Sequence, residues 1–276
     1  MYIVKIGGGA GITEQAFANF ASDLAAIDEQ FVLVHGANAE FSALSTALGQ
    51  PPRMITSEKG RVSRYTDCAT METMLMAYCG KVNKLLVARL QHAGVNAVGL
   101  SGIDGKLATG KRKPVIRAIE DGKAKVLRDD HAGTLKHVDT TLIALLLGAG
   151  YVPVLTPPAL DIEEGTPINV DGDRLALELA IGLSAKGLLF FSDTPGLLRD
   201  RDDESTLIEH IDASEPRSAL GAAQGRMKVK VETAVKAIER GVGQVVFADG
   251  RLPQPISRAL AGNGTIISAA QAAPVG

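Results

Sequence analysis

An α/β fold, with a largely parallel open sheet sandwiched between two helical layers, is predicted by three observations. Short apolar runs, among them Tyr2–Ile6 and Phe31–His35, end in glycine-bearing steps. Segments of helical apolar spacing follow them, the alternation expected of parallel strands joined by right-handed crossovers. Between residues 101 and 136 the rhythm changes to short segments punctuated by Gly105, Gly110, Gly122 and Gly133, which reads as β-hairpins over the N-terminal lobe.

In chain order, the strand Tyr2–Ile6 is followed by a helix over about Thr13–Asp28, the strand Phe31–His35 and a helix over Ala39–Leu48. Helical spacing then covers Leu75–Ala93, with Gly94 as its stop. Val95–Leu100 reads as a strand, and after the hairpins a helix at Asp139–Leu147 and a strand at Tyr151–Leu155 return to the sheet. The second half repeats the rhythm with helix Asp173–Leu183, strand Gly187–Phe191, helix Met227–Arg240 and strands Gln244–Ala248 and Thr265–Ser268. No Pro- and Ser-rich linker interrupts this order, so residues 1–268 are expected to form one domain with lobes at about 1–170 and 171–268. Residues 269–276 read as a loose tail.

Composition narrows the function. The 276 residues can bury a full core, and a net charge of −2 gives no global pull toward nucleic acid or a membrane. The two cysteines form no CxxC pair and the five histidines no HExxH, so neither a disulfide scaffold nor a resident metal site is expected. No apolar run approaches the ~18 residues of a membrane span, and no basic leader precedes Tyr2; a cytoplasmic location is expected.

The chemistry is concentrated at strand ends. Lys5-Ile6-Gly7-Gly8-Gly9 sets a lysine before glycines whose backbone N–H groups can approach an anion, with a helix N-terminus behind them. Taken alone, it also fits a strand–turn–helix with a solvated lysine. It is not a GxxxxGK[ST] loop, and a GxGxxG fingerprint is missing at this turn. His35-Gly36-Ala37-Asn38 ends the next strand in the same manner, so one shared anion cradle is expected, built from backbone amides rather than the imidazole.

These segments resemble the opening of the amino acid kinase family, and the resemblance continues in order along nearly the whole chain. Ser63-Arg64-Tyr65-Thr66-Asp67 resembles that family's Arg-x-Thr-Asp segment, and Asn169-x-Asp171-x-Asp173 its Asn-x-Asn-x-Asp segment. Phe191-Ser192-Asp193-Thr194-Pro195-Gly196-Leu197 resembles the nucleotide-side turn. Gly225-Arg226-Met227-Lys228-Val229-Lys230 resembles Gly-Gly-Met-x-x-Lys, and Gly262-Asn263-Gly264-Thr265 the closing Gly-x-Gly-Thr. The resemblance implies the amino acid kinase fold and ATP-dependent phosphorylation of a carboxylate, with Mg2+ accompanying ATP. By that resemblance Lys5 and Lys230 flank the phosphoryl group and Asp173 holds them. Gly36, Ala37, Arg64 and Asn169 bind substrate. Gly7, Gly8, Ser192, Asp193, Gly196, Met227 and Lys228 bind phosphate or nucleotide. The family also implies a homodimer, the lobe about 1–170 taking substrate and 171–268 nucleotide. Two departures stand out: Ala37-Asn38 replaces glycines in the second loop, and Asp171 stands where asparagine is common.

Further segments, including Val62-Ser63-Arg64-Tyr65-Thr66-Asp67, Leu155-Thr156-Pro157-Pro158-Ala159 and Gln224-Gly225-Arg226-Met227-Lys228, resemble a narrower subgroup. Its members phosphorylate aminoadipate or glutamate attached to a small acidic amino-group carrier protein of the LysW type, in lysine or arginine biosynthesis. The cations of the hairpin region, Lys111, Arg112 and Lys113 above all, suit docking of an acidic carrier. Taken alone, they also fit a solvated hairpin. Two other readings remain open: a kinase of free N-acetylglutamate, and a non-catalytic nucleotide-binding protein on the same fold.

Overall fold

The structure, a computed structural model, describes residues 1–57, 60, 62–120, 123–200, 202–215 and 226–269. Gln224 and Gly225 of the motifs, and residues 270–276 of the expected tail, lie outside the described residues.

The first half runs β1 (Tyr2–Ile6), α1 (Glu14–Ala26), β2 (Phe31–His35), α2 (Asn38–Ala47), β3 (Met54–Ser57), β4 (Val62–Arg64) and α3 (Cys68–Met74). A π-helical stretch, Leu75–Val82, joins α3 to α4 (Asn83–His92). Then come β5 (Ala97–Ser101), β6 (Ala108–Arg112), β7 (Val115–Glu120), β8 (Lys123–Arg128), β9 (Gly133–Val138) and α5 (Thr141–Gly148). The remainder is β10 (Val152–Thr156), β11 (Ala159–Asp161), β12 (Pro167–Ile168), α6 (Gly172–Gly182), β13 (Gly187–Ser192), β14 (His210–Asp212), α7 (Arg226–Glu239), β15 (Gln244–Asp249), α8 (Pro255–Leu260) and β16 (Thr265–Ser268).

Eight strands form one sheet in the order β14-β16-β15-β13-β1-β2-β10-β5, parallel throughout except for the β15–β16 pair. Strands from both halves therefore share it, with β1 next to β13. Side chains alternate between its faces. Ile3, Val32, Val34, Leu188 and Val245 join α5, α6 and α7 on one side, through Ile143, Leu175, Leu179 and Val235. Val4, Ile6, Leu33, Leu189 and Val246 join α1, α4 and α8 on the other, through Phe20, Leu24, Leu86 and Ile256. These are the two helical layers that the alternating apolar runs predict.

Of the segments expected as hairpins, β7 and β8 pair as consecutive antiparallel strands, while β6 pairs antiparallel with β9, beyond them in the chain; Gly122 lies outside the described residues. These strands belong to two four-stranded sheets, β12-β11-β6-β9 and β4-β3-β7-β8. The helix expected to begin at Leu75 starts earlier, at Cys68, because Asp67 caps it by accepting the Thr70 N–H at 2.9 Å. It ends as expected before Gly94, which adopts a left-handed φ of 86°. Strands β3, β4, β11, β12 and β14 have no long apolar period to announce them; each has two to four residues.

Candidate active site

Period-two alternation decides where the key side chains go. Lys5 shares a face with Ile3, the face that packs α6, and Asp173 lies in the first turn of that helix. The two meet at 2.6 Å, with Lys5 mostly buried and Asp173 about a third exposed. Asp171 is the N-cap of α6: its Oδ1 accepts from the N–H groups of Asp173 (2.8 Å) and Arg174 (3.3 Å). The residue that departs from asparagine thus fixes the backbone from which Asp173 projects. Beside them Asp171, Asp173, Phe190, Lys230 and Phe247 line a cavity of about 210 Å³. The Lys230 ammonium stands over the Phe247 ring at 5.6 Å from its centroid.

The two glycine loops abut. A Cβ on Gly8 would lie 2.3 Å from the Ala37 nitrogen, and one on Gly36 3.0 Å from the Gly8 nitrogen. Only glycine at position 8 permits this approach. The Gly8 carbonyl accepts from the Ala39 N–H at 2.8 Å, stitching the loop after β1 to the start of α2. Ala37 is buried at 3% exposure, in a cluster with Phe41, Met71, Met74 and Tyr78. Its methyl group is thereby absorbed in packing.

Arg64, at the end of β4, stacks on Phe41 with its guanidinium carbon 3.9 Å from the ring centroid. Its Nη2 donates to Asn38 Oδ1 at 2.8 Å, and the Tyr78 hydroxyl donates to the same oxygen at 2.7 Å. Burial pushes the Tyr78 hydroxyl pKa up, keeping it a donor. Two residues on, Thr66 Oγ1 accepts from Asn169 Nδ2 at 3.2 Å, and the Thr66 N–H donates to buried Asp130 at 3.0 Å. Arg64 and Asn169 are in this way tied to one short segment.

On the other side of β1, Ser192 and Thr194 hydroxyls lie 3.1 Å apart. Asp193 packs on Gly11, where a Cβ would fall 2.4 Å from the aspartate's own. Gly196 faces Thr265, whose Oγ1 accepts from the Leu197 N–H at 2.8 Å, so the turn after β13 docks on the closing Gly-Asn-Gly-Thr segment. Lys228 is exposed on α7; the backbone of Met227 lies in that helix. On the hairpins, Lys111 pairs with Glu163 at 2.7 Å and Lys113 is exposed. Arg112 is mostly buried and held by Asp129 (2.6 Å) and Glu164 (2.9 Å).

The sequence model of the amino acid kinase family matches residues 1–249. This chain belongs to the amino acid kinase family. It is 53% identical to the [LysW]-aminoadipate kinase of Deinococcus radiodurans, over 97% of this chain and 91% of that protein. It is 48% identical to the [LysW]-aminoadipate kinase of Thermus thermophilus, over 97% of this chain and all of that one. Among solved structures, N-acetylglutamate synthase from Neisseria gonorrhoeae, complexed with coenzyme A and N-acetyl-glutamate, superposes with a TM-score of 0.77 at 25% identity. That match covers 99% of this chain and 59% of the synthase.

Three residues to which the sequence assigned no side-chain role form contacts of their own. Asn38, noted only as a departure, bridges Arg64 and Tyr78. Asn83 and His35 meet inside the protein at 3.1 Å. His35 stands out at a strand end, and Asn83 in the segment Tyr78-Cys79-Gly80-x-Val82-Asn83-Lys84 that resembles the carrier-dependent kinases; their contact does not, since helix periodicity marks apolar faces and not which polar residue they bury.

Proposed function

We propose that this chain is a cytoplasmic [LysW]-aminoadipate kinase, which phosphorylates the side-chain carboxylate of 2-aminoadipate carried on LysW with ATP. The observation that carries the chemistry is the Lys5–Asp173 ion pair beside the cavity that Lys230 lines. A carboxylate is already ionised at neutral pH and needs no general base. Its oxygen attacks the γ-phosphorus in line, the bond to the β,γ-bridging oxygen breaks, and ADP leaves with that electron pair. The product is an acyl phosphate.

Two anions must be brought together, so positioned positive charge is the main requirement. Lys5 and Lys230 supply it, and Asp173 orients Lys5. The abutting amides after β1 and β2 bind phosphoryl or substrate oxygens, and Arg64, stacked and pinned by Asn38, takes a carboxylate. Asn169 orients the amide of the attached amino acid. Gly7, Ser192, Asp193, Gly196, Met227 and Lys228 serve the nucleotide. Among the described residues no group of three or more His, Cys, Asp or Glu could hold a metal ion. A Mg2+ arriving on the phosphates of ATP would neutralise part of their charge.

Carrier docking is assigned to the hairpins. Lys113 offers charge directly and Lys111 does so beside its Glu163 partner, whereas Arg112 braces the fold beneath them. The neighbouring sheet supports this reading: Val115, Arg117 and Ile119 on β7 share a face with Val126 and Arg128 on β8. Val115, Ile119 and Val126 are exposed, an apolar face set with cations. A homodimer belongs to the same proposal, with Met76 half exposed on the π-helical stretch as a contact.

The test is hydroxylamine trapping of acyl phosphate with carrier-linked aminoadipate, carrier-linked glutamate and free N-acetylglutamate in parallel. Turnover of carrier-linked aminoadipate is expected. Turnover of free N-acetylglutamate alone would replace this reading with that of an acetylglutamate kinase.

A further inference from the structure

A chain of hydrogen bonds runs from Lys84 at the surface, through buried Asn83 and His35, to the loop after β2. The Lys84 ammonium donates to the Gly99 carbonyl at 3.0 Å and to Asn83 Oδ1 at 3.1 Å. Asn83, 1% exposed, donates from Nδ2 to the Val154 carbonyl at 3.0 Å and lies 3.1 Å from His35 Nε2. His35 is fully buried, and its Nδ1 stands 3.2 Å from the Gly36 carbonyl oxygen. The site is shaped for this chain: a Cβ at Gly99 would fall 2.1 Å from Asn83 Oδ1.

Donor and acceptor chemistry fixes every proton in it. An ammonium only donates and a carbonyl only accepts, so Asn83 must turn its oxygen to Lys84 and its NH2 to Val154. The second hydrogen of that NH2 faces His35 Nε2, which must therefore be a bare acceptor. The imidazole proton sits on Nδ1 and is donated to the Gly36 carbonyl. Because the peptide is planar and trans, holding that carbonyl aims the Ala37 N–H the opposite way.

We propose that His35, set in its Nδ1–H tautomer by Lys84 and Asn83, is a positioning residue that fixes the Gly36–Ala37 peptide for the substrate anion. This rests on the reading of that loop as part of the anion cradle. The charged groups that act on the imidazole are Lys84 from α4, on its own side of the sheet, and Lys5 from β1, whose side chain lies on the other side. With burial as the larger cause, they hold its pKa down to about 4, so it stays neutral where the enzyme works. Thr156 completes the setting by donating its hydroxyl to the His35 carbonyl at 3.1 Å.

The experiment has two readings. In wild-type protein labelled with 15N-histidine, NMR is expected to find His35 as the Nδ1–H tautomer, without titration between about pH 5.5 and 8.5. An Nε2–H tautomer overturns the proposal, and this reading needs no substrate, so it stands apart from the identity of the reaction. The second uses Asn83→Asp. A carboxylate facing Nε2 takes the single proton of the neutral ring and leaves Nδ1 bare against the Gly36 carbonyl; only the imidazolium serves both. The variant's kcat/KM relative to wild type is therefore expected to fall about tenfold as pH rises through the raised His35 pKa. A ratio that is flat with pH overturns the proposal, since a merely structural role would lower activity at every pH alike. If the variant does not fold, the wild-type tautomer decides.

Discussion

Lys5, near the end of the first strand, and Asp173, in the first turn of a helix in the second half of the chain, join side chains at 2.6 Å. The contact follows from two local rules: alternation turns Lys5 toward the α6 face, and the Asp171 cap fixes the turn that carries Asp173. With Asp173 still about a third exposed, a single ion pair of this kind is weak evidence for stability. Beside a cavity that holds a second lysine, its value lies in orientation. Lys5→Met is expected to lower kcat by about 10²–10³-fold with a smaller change in KM. Asp173→Asn is expected to lower kcat less, because the lysine keeps its charge and loses only its anchor. Steady-state kinetics with trapping of the acyl phosphate separates the two. Equal losses would mean that Asp173 does more than hold Lys5.

Arg64 is braced by Phe41 below and Asn38 beside it. A lysine keeps the charge but loses the planar fork and the stacking. Arg64→Lys is expected to raise KM for the carboxylate substrate about tenfold, the effect of one charge-assisted hydrogen bond, while KM for ATP changes little. Asn38→Ala should move the same parameter in the same direction by less. An ATP KM that rises in parallel would put Arg64 outside the substrate site.

Much of this was readable in the sequence. Most strands of the central sheet announce themselves through apolar runs, Tyr2–Ile6 and Phe31–His35 with glycine after them; Lys5 and Gly8 stand out by their place at a strand end, and Asp173 through the family resemblance. What stayed hidden was hidden for physical reasons. Edge strands such as Val62–Arg64 are too short for a period to emerge. The N-cap role of Asp171 and the pairing of Arg112 with Asp129 and Glu164 depend on which residues the fold brings together. The Asn83–His35 contact joins an α4 residue to β2 across the inner face of the sheet, and no local pattern encodes it.

Gly8 and Gly9 are neighbours with opposite tolerances. A Cβ at Gly8 meets the backbone of Gly36 and Ala37 at 2.4 and 2.3 Å, whereas one at Gly9 meets nothing within 4 Å. Gly8→Ala is expected to lower unfolding free energy by about 1–3 kcal/mol, the usual cost of overpacking, and to impair the cradle. Gly9→Ala should leave stability nearly unchanged. Urea unfolding of both variants checks this, and equal stabilities would show that the two loops can part at little cost.

Burial holds the His35 pKa down to about 4 against an ordinary 6.5. The unfolded chain therefore takes up a proton at a higher pH than the folded one does. The stability linked to this group is fully present above about pH 6.5 and is lost as pH falls toward 4, on the order of 3 kcal/mol in all. His35→Gln is expected to be less stable at pH 7.5 but to lose less on acidification to pH 5, as measured by urea unfolding at both. Parallel losses in the two proteins would show that other groups dominate acid unfolding.

Charge reversal on the hairpins separates docking from folding. Lys113 is exposed, so Lys113→Glu should leave stability and kcat intact while raising KM for the carrier-linked substrate. That increase should shrink as salt screens the encounter. Arg112→Glu is expected to behave differently. It would set a third carboxylate against Asp129 and Glu164 in place of a mostly buried guanidinium, so its first effect is on stability. Kinetics with carrier-linked and carrier-free substrates, read beside unfolding curves, distinguishes these outcomes. If Lys111→Glu and Lys113→Glu both leave the carrier KM unchanged at low salt, the carrier does not dock on this strip.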